Sequence, residues 1–478
     1  MPHAARRRIA LATVLSLGFL PLAAGPAHAE PDPGTPLPVI PVPDDFDGDG
    51  YGDLVVAAPD AGVAGKAGAG AVTVLYGSAP GTDGTRHQLL TQDSPGVPGT
   101  AAAGNAFGHS VAAGDLDGDG YTDLAVGAPY ETVGDAPETG SVTIMWGSPD
   151  GLVAGTAVPP VGVPGESCQW GLTLLADEMT NAGAQDLSVG GACSSAFLDG
   201  PFTRDGVPES VLTEDSPGVP GATGTVDHET WAERVLLPGP TDNSPGGRVW
   251  LDNWVDGQMV RTFLNSGDRA QGTSAAIADT NLDGYGDLVL GNSYDGLAQW
   301  PVGGHITVLK GWSSGPSAAN SYRLHEGSAG LQAEYGDAFG ASVSTGDVNG
   351  DGYADVAVGV PGRTVGGQSD AGVVVVFYST GGGPTGTGAQ TFDAGQFGGG
   401  QAVQAGAGFG RTVRLADRDG DGRAELTVGA PGQDGVGCVW TADAGGDGRL
   451  TADGASAVCG DDVGLDAQGS GFGSVLTP

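Results

Sequence analysis

Short stretches that alternate apolar with small or polar residues recur along the whole chain. AVTVLYG (Ala71–Gly77), SVTIMWG (Ser141–Gly147), HITVLKG (His305–Gly311) and GVVVVFYS (Gly372–Ser379) are rich in Val, Ile and Thr. Period-two alternation of β-branched residues predicts strands. A second set lies upstream of such stretches: LAVGAP (from Leu124), VAVGVP (from Val356) and LTVGAP (from Leu426). A third set precedes that one: FGHSVAAGD (from Phe107), FGASVSTGD (from Phe339) and FGRTVRLAD (from Phe409). No stretch carries a 3.6-residue period over a useful length, so the chain reads as all-β.

Between the third set and the second lies an acidic loop, written five times: DFDGDGYGDL (Asp45–Leu54), DLDGDGYTDL (Asp115–Leu124), DTNLDGYGDL (Asp279–Leu288), DVNGDGYADV (Asp347–Val356) and DRDGDGRAEL (Asp417–Leu426). Asp or Asn holds positions 1, 3 and 5, Gly holds position 6, and Asp or Glu holds position 9. Most loops start about 70 residues after the one before, a repeat period typical of modular architectures. The wide gap between Asp115 and Asp279 has room for two degenerate copies, which the flanks locate. WGLTLLADEMTNAGAQDLSVGGA (Trp170–Ala192) keeps the frame with a loop one residue longer and most acids lost; WAERVLLPGPTDNSPGGRVWLDNW (Trp231–Trp254) keeps the strands without an acidic loop. Seven units follow, starting near residues 45, 107, 170, 231, 272, 339 and 409.

A repeat of roughly 62 residues with about four strands is a β-propeller blade rather than a solenoid turn. The ends agree. The first unit lacks its leading strand, and the last residues, GFGSVLTP (Gly471–Pro478), are that strand with nothing after it. The expectation is a seven-bladed β-propeller whose first blade is completed by Phe472–Thr477. Such closure removes the exposed sheet edges that invite aggregation.

Composition narrows the partners. The chain has 478 residues with 90 Gly and 32 Pro, and its net charge is −39. Without a Lys/Arg patch to neutralise phosphates, nucleic-acid binding and docking to anionic membranes are disfavoured. The acidic excess points to cations. Arg6-Arg7-Arg8, the mostly apolar run from Ile9 to Ala24 and Ala27-His28-Ala29 read as a signal peptide over residues 1–29, by a general or a twin-arginine route. A Pro-rich linker over 30–43 and a propeller over 44–478 follow. No later segment is long and apolar enough to span a bilayer, and no C-terminal anchor signal is evident. The expectation is a secreted, monomeric protein. Four cysteines in an oxidising setting predict two disulfides, and composition leaves three pairings open.

The phrase FG…GD-x-(D/N)-GDGY-x-D-L-x-V-GAP resembles the FG-GAP repeat, and the array is similar to the seven-bladed propeller of integrin α subunits. The resemblance covers nearly all the mature chain, strongly in five units and weakly in two. It implies Ca²⁺ in the hairpin between the first two strands of a blade, an extracellular setting, and an adhesion or ligand-binding role.

The loop chemistry fits that implication. Carboxylates at positions 1, 3 and 5 of a tight loop converge on one point, Gly at 6 permits the turn, the position-7 carbonyl points inward and position 9 completes the shell. Ca²⁺ takes 6–8 oxygens in irregular geometry, whereas Mg²⁺ demands an octahedron and zinc prefers His and Cys. The expected ligands are Asp45, Asp47, Asp49, Tyr51 and Asp53; Asp115, Asp117, Asp119, Tyr121 and Asp123; Asp279, Asn281, Asp283, Tyr285 and Asp287; Asp347, Asn349, Asp351, Tyr353 and Asp355; and Asp417, Asp419, Asp421, Arg423 and Glu425, the last loop departing at Arg423 and Glu425. The count is about five Ca²⁺ per chain, in a stabilising role. An EF-hand is excluded, because its position 12 must be a bidentate Glu and is Val126 here.

Strand placement selects the disulfides. Cys168 precedes the first strand of the third unit and Cys193 follows its second; Cys438 and Cys459 lie on neighbouring strands of the last. The expected pairs are Cys168–Cys193 and Cys438–Cys459.

No H-E-x-x-H motif is present. His109 reads as structural, and His228-Glu229 as a solvated loop. Trp170 and Trp231 read as core residues in place of the FG phenylalanine, with Trp250 and Trp254 open as core or as contact surface. DSPGVPG, at Asp93 and again at Asp215, reads as a turn between blades. The functional expectation is an extracellular binding, adhesion or scaffold module for a protein or carbohydrate ligand. The alternative is an extracellular hydrolase, of esterase, phospholipase or glycosidase type, with a cleft in the propeller. Phospholipases D that act on glycosylphosphatidylinositol anchors carry similar repeats but place their chemistry in a separate domain.

Overall fold

The computed structural model describes residue 42 and residues 44–477, apart from residues 80, 162–164, 181–182, 215–217, 227–231, 239–247, 256–257, 265–269, 296–300, 398–401 and 466–468. The expected signal peptide, and the linker except residue 42, lie outside the described residues. Within them the chain forms seven four-stranded antiparallel sheets in chain order. Blade 2 shows the pattern: Ser110–Gly114, Asp123–Ala128, Ser141–Trp146 and Ala154–Val158, paired in sequence. The first strands touch one another blade to blade in a closed circuit. The described residues contain no α-helix, only three short 3-10 turns. The seven-bladed propeller is therefore the observed fold.

Closure is by the C-terminal strand. Val475–Leu476 pairs antiparallel with Leu54–Ala58 and supplies the innermost strand of blade 1. Phe472 and Leu476 bury in a cluster that joins Leu54, Val56 and Leu75 of blade 1 to Val439 and Val458 of blade 7. Each such side chain contributes about 1.5–3 kcal/mol, so the closing segment is held by packing as well as by its short ladder.

The second strands are buried on both faces, because each sheet lies between two others. Leu54–Ala58, Asp123–Ala128, Asp287–Asn292, Asp355–Val360 and Glu425–Ala430 expose nothing. The FG and GAP signatures explain how neighbouring sheets approach. Phe107, Trp170, Phe339, Phe409 and Phe472 are all fully buried between blades. The glycine after Phe409, Gly410, has φ +88° and donates to Gly429 O at 3.1 Å. A Cβ on Gly359, the GAP-type glycine of blade 6, would lie 1.9 Å from Gly410 O. The same contact recurs at closure, where a Cβ on Gly429 would lie 2.2 Å from Gly473 O. The last junction is thus built like the others.

Two boundaries differ from the sequence reading. Blade 4 does not begin near residue 231. Its strands are Gly218–Gly224, Glu233–Pro238, Trp250–Val255 and Gln258–Phe263. GVPGATG carries no strand-like alternation and contains Pro220, but an innermost strand is a sheet edge, where a missing N–H is tolerated; the register shifts between Pro220 and Ala222. The second DSPGVPG therefore runs into a strand, whereas the first is a turn. In blade 3, Asp177 pairs with Asp186, nine residues on, as Gly114 pairs with Asp123 in blade 2. The blade 3 loop has the common length, with Glu178 at position 1.

The junction of blades 3 and 4 is partly ionic. Arg234 is buried and donates to Ser188 at 2.8 Å, to both oxygens of Glu214 at 3.2 and 3.1 Å, and to Asp252 at 2.7 Å. Arg261 reaches Asp252 at 2.7 Å and Glu214 at 2.6 Å. Trp254 packs on Phe197 of blade 3 at 4.9 Å between ring centroids, and Trp250 on Phe263 at 5.6 Å, so both are half-buried packing residues. Both expected disulfides are formed, Cys168–Cys193 and Cys438–Cys459. His109 lies edge-on to Tyr130, as a structural residue would.

Candidate metal centre

The hairpin between the first and second strands of each blade sits on one rim of the ring. The rim is continuous. The position-8 N–H of one loop donates to the backbone at position 1 or 2 of the preceding loop: Thr122 to Asp45, Gln185 to Asp115, Ala354 to Asp279, Ala424 to Asp347 and, across closure, Gly52 to Arg418, at 2.7–3.5 Å. Gly286 donates likewise to Val226, which fixes the frame of blade 4.

Within a loop the sequence dictates the wrapping. The position-1 carboxylate collects the backbone N–H groups ahead of it. Asp45 accepts from Gly48 at 2.7 Å, Asp49 at 3.1 Å and Gly50 at 2.9 Å. Asp115 and Asp347 do the same, Asp279 accepts from Asp283 and Gly284, and Asp417 from Gly420 and Gly422. Position 3 accepts from position 5, and position 5 from position 7, in all five loops. The position-6 glycines have φ between +86° and +92°, a conformation costly for residues with a Cβ. Leu282 adopts φ +55° at position 4, where the other four loops have Gly.

Position 9 is a buried strap. Asp53 accepts from Phe46 at 2.9 Å and Gly77 at 2.7 Å; Asp123 and Asp355 repeat the pair. Asp287 accepts from Gly311 and from the Thr280 hydroxyl, and Glu425 from Arg418. Blades 3 and 4 keep this strap: Met179 donates to Asp186 at 3.0 Å and Val226 to Glu233 at 2.7 Å. Counting back from Glu233 puts Asp227, Glu229 and Trp231 at positions 3, 5 and 7. Those residues, with His228, lie outside the described ones. Trp231 is therefore not the FG equivalent; the spacing of Glu233 from a strand preceding residue 225 was the missed signal.

Three loops bring carboxylate oxygens together within 4.8 Å: Asp45, Asp47 and Asp53; Asp115, Asp117 and Asp123; and Asp417, Asp419, Asp421 and Glu425. Asp49 and Asp119 lie outside those clusters and reach Arg86 and Arg204, which also pair with the clustered Asp47 and Asp117. In the two remaining loops Asn281 and Asn349 put an amide oxygen at position 3. Burial first, and then the neighbouring carboxylates, pushes Asp53, Asp123 and Glu425 up to about 8 and Asp355 to about 7; burial raises Asp287 as well. Crowded acids with all-oxygen donors match a hard divalent cation. The tyrosines at position 7 are partly exposed; Tyr121 lies against Gly48 of the preceding loop.

Two arginines reach the loops from outside. Arg86 pairs with Asp47, reaches Asp49 at 3.8 Å and lies 4.2 Å over the Tyr76 ring. Arg204, from the outer part of blade 3, pairs with Asp117, reaches Asp119 at 2.5 Å and lies 4.9 Å over the Trp146 ring.

The first strands enclose a second feature, a central cavity of about 700 Å³ lined by small, hydroxyl and aliphatic side chains. Arg414 pairs there with Asp44, and burial raises Asp177.

The FG-GAP repeat model matches residues 39–75, 107–145 and 339–377. Phosphatidylinositol-glycan-specific phospholipase D of Bos taurus is 28% identical over 55% of this chain and 32% of that protein. Integrin alpha-PS2 of Drosophila melanogaster is 29% identical over 53% of the chain and 18% of the relative, and integrin alpha-5 of Xenopus laevis 33% identical over 43% and 19%. The chain thus spans a third or less of these relatives. Together with the seven blades, these likenesses make the chain an integrin-alpha-like FG-GAP propeller. No described helix is long and apolar enough to cross a membrane.

Proposed function

We propose that this integrin-alpha-like FG-GAP propeller is an extracellular module that binds a protein or carbohydrate ligand, held rigid by Ca²⁺ in five rim loops. The observation that carries the reading is one loop geometry repeated five times in the same phase, with only oxygen donors at positions 1, 3, 5 and 9. The residues that would hold the ion are the side chains at those positions and the carbonyls of Tyr51, Tyr121, Tyr285, Tyr353 and Arg423. Bound Ca²⁺ supplies positive charge that offsets the repulsion among the carboxylates. The chain does the rest. Positions 1, 3 and 5 order the loop through backbone N–H groups, and in four of the five loops position 9 ties it to the backbone just after the third strand. Because neighbouring loops are hydrogen-bonded around the rim, ordering one loop supports the next. Two disulfides suit an oxidising compartment.

The hydrolase alternative has one observation to draw on: Asp177, a carboxylic acid raised by burial, faces the central cavity. The test is to present the purified chain to glycan and extracellular-protein arrays with calcium and with chelator. A ligand retained in calcium and lost in chelator supports the binding reading. Turnover of a glycan or lipid ester that survives purification and is abolished by Asp177→Asn would replace it with the hydrolase.

A further inference from the structure

The five loops differ in a way that lies outside the loops themselves. We propose that Arg86 and Arg204 are built-in counter-ions that compete with the divalent cation for the carboxylates at positions 3 and 5 of the first two loops, lowering cation affinity there and holding those loops in shape when calcium is scarce. The inference rests on the reading of the loops as Ca²⁺ sites.

The geometry is the same at both places although the arginines come from different blades. Each guanidinium sits between the position-3 and position-5 carboxylates of one loop and lies over an aromatic ring at the end of that blade's third strand. A planar guanidinium suits this double role of stacking and ion pairing. The side chains of Arg86 and Arg204 are 52% and 48% exposed, so each can swing away without opening the fold.

The remaining loops show what the arginines balance. Arg86 pairs with Asp47 and Arg204 with Asp117; the third loop with Asp at position 3 contains Arg418 and Arg423, but among the described residues neither forms an ion pair with Asp417, Asp419 or Asp421, Arg418 donating to Thr427 and Arg423 to Gly445 O. Loops with Asn at position 3, Asn281 and Asn349, have no ion pair to Asp279, Asp283, Asp347 or Asp351 among the described residues. In the first two loops the extra carboxylate and the arginine go together, as expected if the guanidinium offsets the charge when no cation does.

Removing the arginine therefore leaves a more negative loop. A divalent ion a few ångströms from a unit charge in a water-like dielectric feels that charge as about a tenfold change in affinity. Calcium titration by calorimetry on the full mature chain, with Arg86→Gln, Arg204→Gln and the double variant, reads this directly. One site tightens by about tenfold in each single variant and two in the double. The melting temperature of the double variant falls in chelator and not in saturating calcium, a crossover that a purely structural role would not give. Asp47→Asn added to Arg86→Gln recreates the charge of the loops with Asn at position 3 and returns the first site toward wild-type affinity. Lys66→Gln, which removes a surface pair with Asp93, shifts no site. Wild-type binding with superimposable variant isotherms overturns the inference and leaves the Ca²⁺ reading standing. Absence of calcium binding in wild type and variants overturns both.

Discussion

Replacing Arg234 tests whether blade 4 is held to blade 3 by charge. Glu214 and Asp252 have side chains only 7% and 3% exposed, and Arg234 only 3%. Arg234→Met leaves Arg261 alone against two buried carboxylates, so one negative charge remains uncompensated. It also leaves the Ser188 hydroxyl without this donor. Breaking a buried pair from one side costs about 3–5 kcal/mol, and the partial cover by Arg261 places the expected loss near the lower end, at about 3 kcal/mol. Urea unfolding at fixed calcium, followed by tryptophan fluorescence, measures it. Adding Glu214→Gln to Arg234→Met restores charge balance and should recover a substantial part of the loss. A loss below about 1 kcal/mol for the single variant, or no recovery in the double, would show that the network does not hold the junction.

Three further outcomes follow from the same geometry. Glu326 is fully buried beside Asp337 and is pushed up to about 8 by burial and then by that neighbour, with Arg363 opposing. Its folded value lies above its ordinary 4.5, so its contribution to stability is present at low pH and is lost as pH rises from about 4.5 to 8; Glu326→Gln should flatten that part of the urea-midpoint profile, and an unchanged profile would refute the assignment. Gly359→Ala forces a methyl against Gly410 O and should cost 3 kcal/mol or more, whereas Gly446→Ala, which meets nothing within 4 Å, should stay within about 0.5 kcal/mol; equal effects would remove the close blade contact from the account. Deleting Gly471–Pro478 bares the edge of Leu54–Ala58 and the cluster around Phe472, so the truncated chain should melt earlier and associate; a monomer with the full-length melting temperature would contradict closure by that strand.

Much of this architecture was legible because the repeat writes each device several times. The five loops share a phase, the surplus C-terminal strand matches the missing first one, and the cysteines fall on or just beyond paired strands. What escaped was set by tertiary context. Gly218–Gly224 has no apolar alternation and becomes a strand only as an inner edge beside Glu233–Pro238. Asp177 imitates a position-1 ligand but pairs with Asp186 and faces the central cavity, which moves the blade 3 loop by one residue. Position 9 looked like a metal ligand alone, yet in Asp186 and Glu233 it survives as a strap in loops whose acidic set is incomplete. Arg204 stands 85 residues from Asp119, and no local pattern announces such a pair.

The central claim is that divalent ions in the rim loops hold the propeller. Calcium content and thermal melting of the purified chain, before and after chelation, test it most directly. About five ions per chain, with a melting temperature that falls sharply in excess chelator and returns on adding calcium, is the expected result. A chain that holds no calcium and melts at the same temperature with and without chelator would contradict it, leaving the loops as hydrogen-bonded turns.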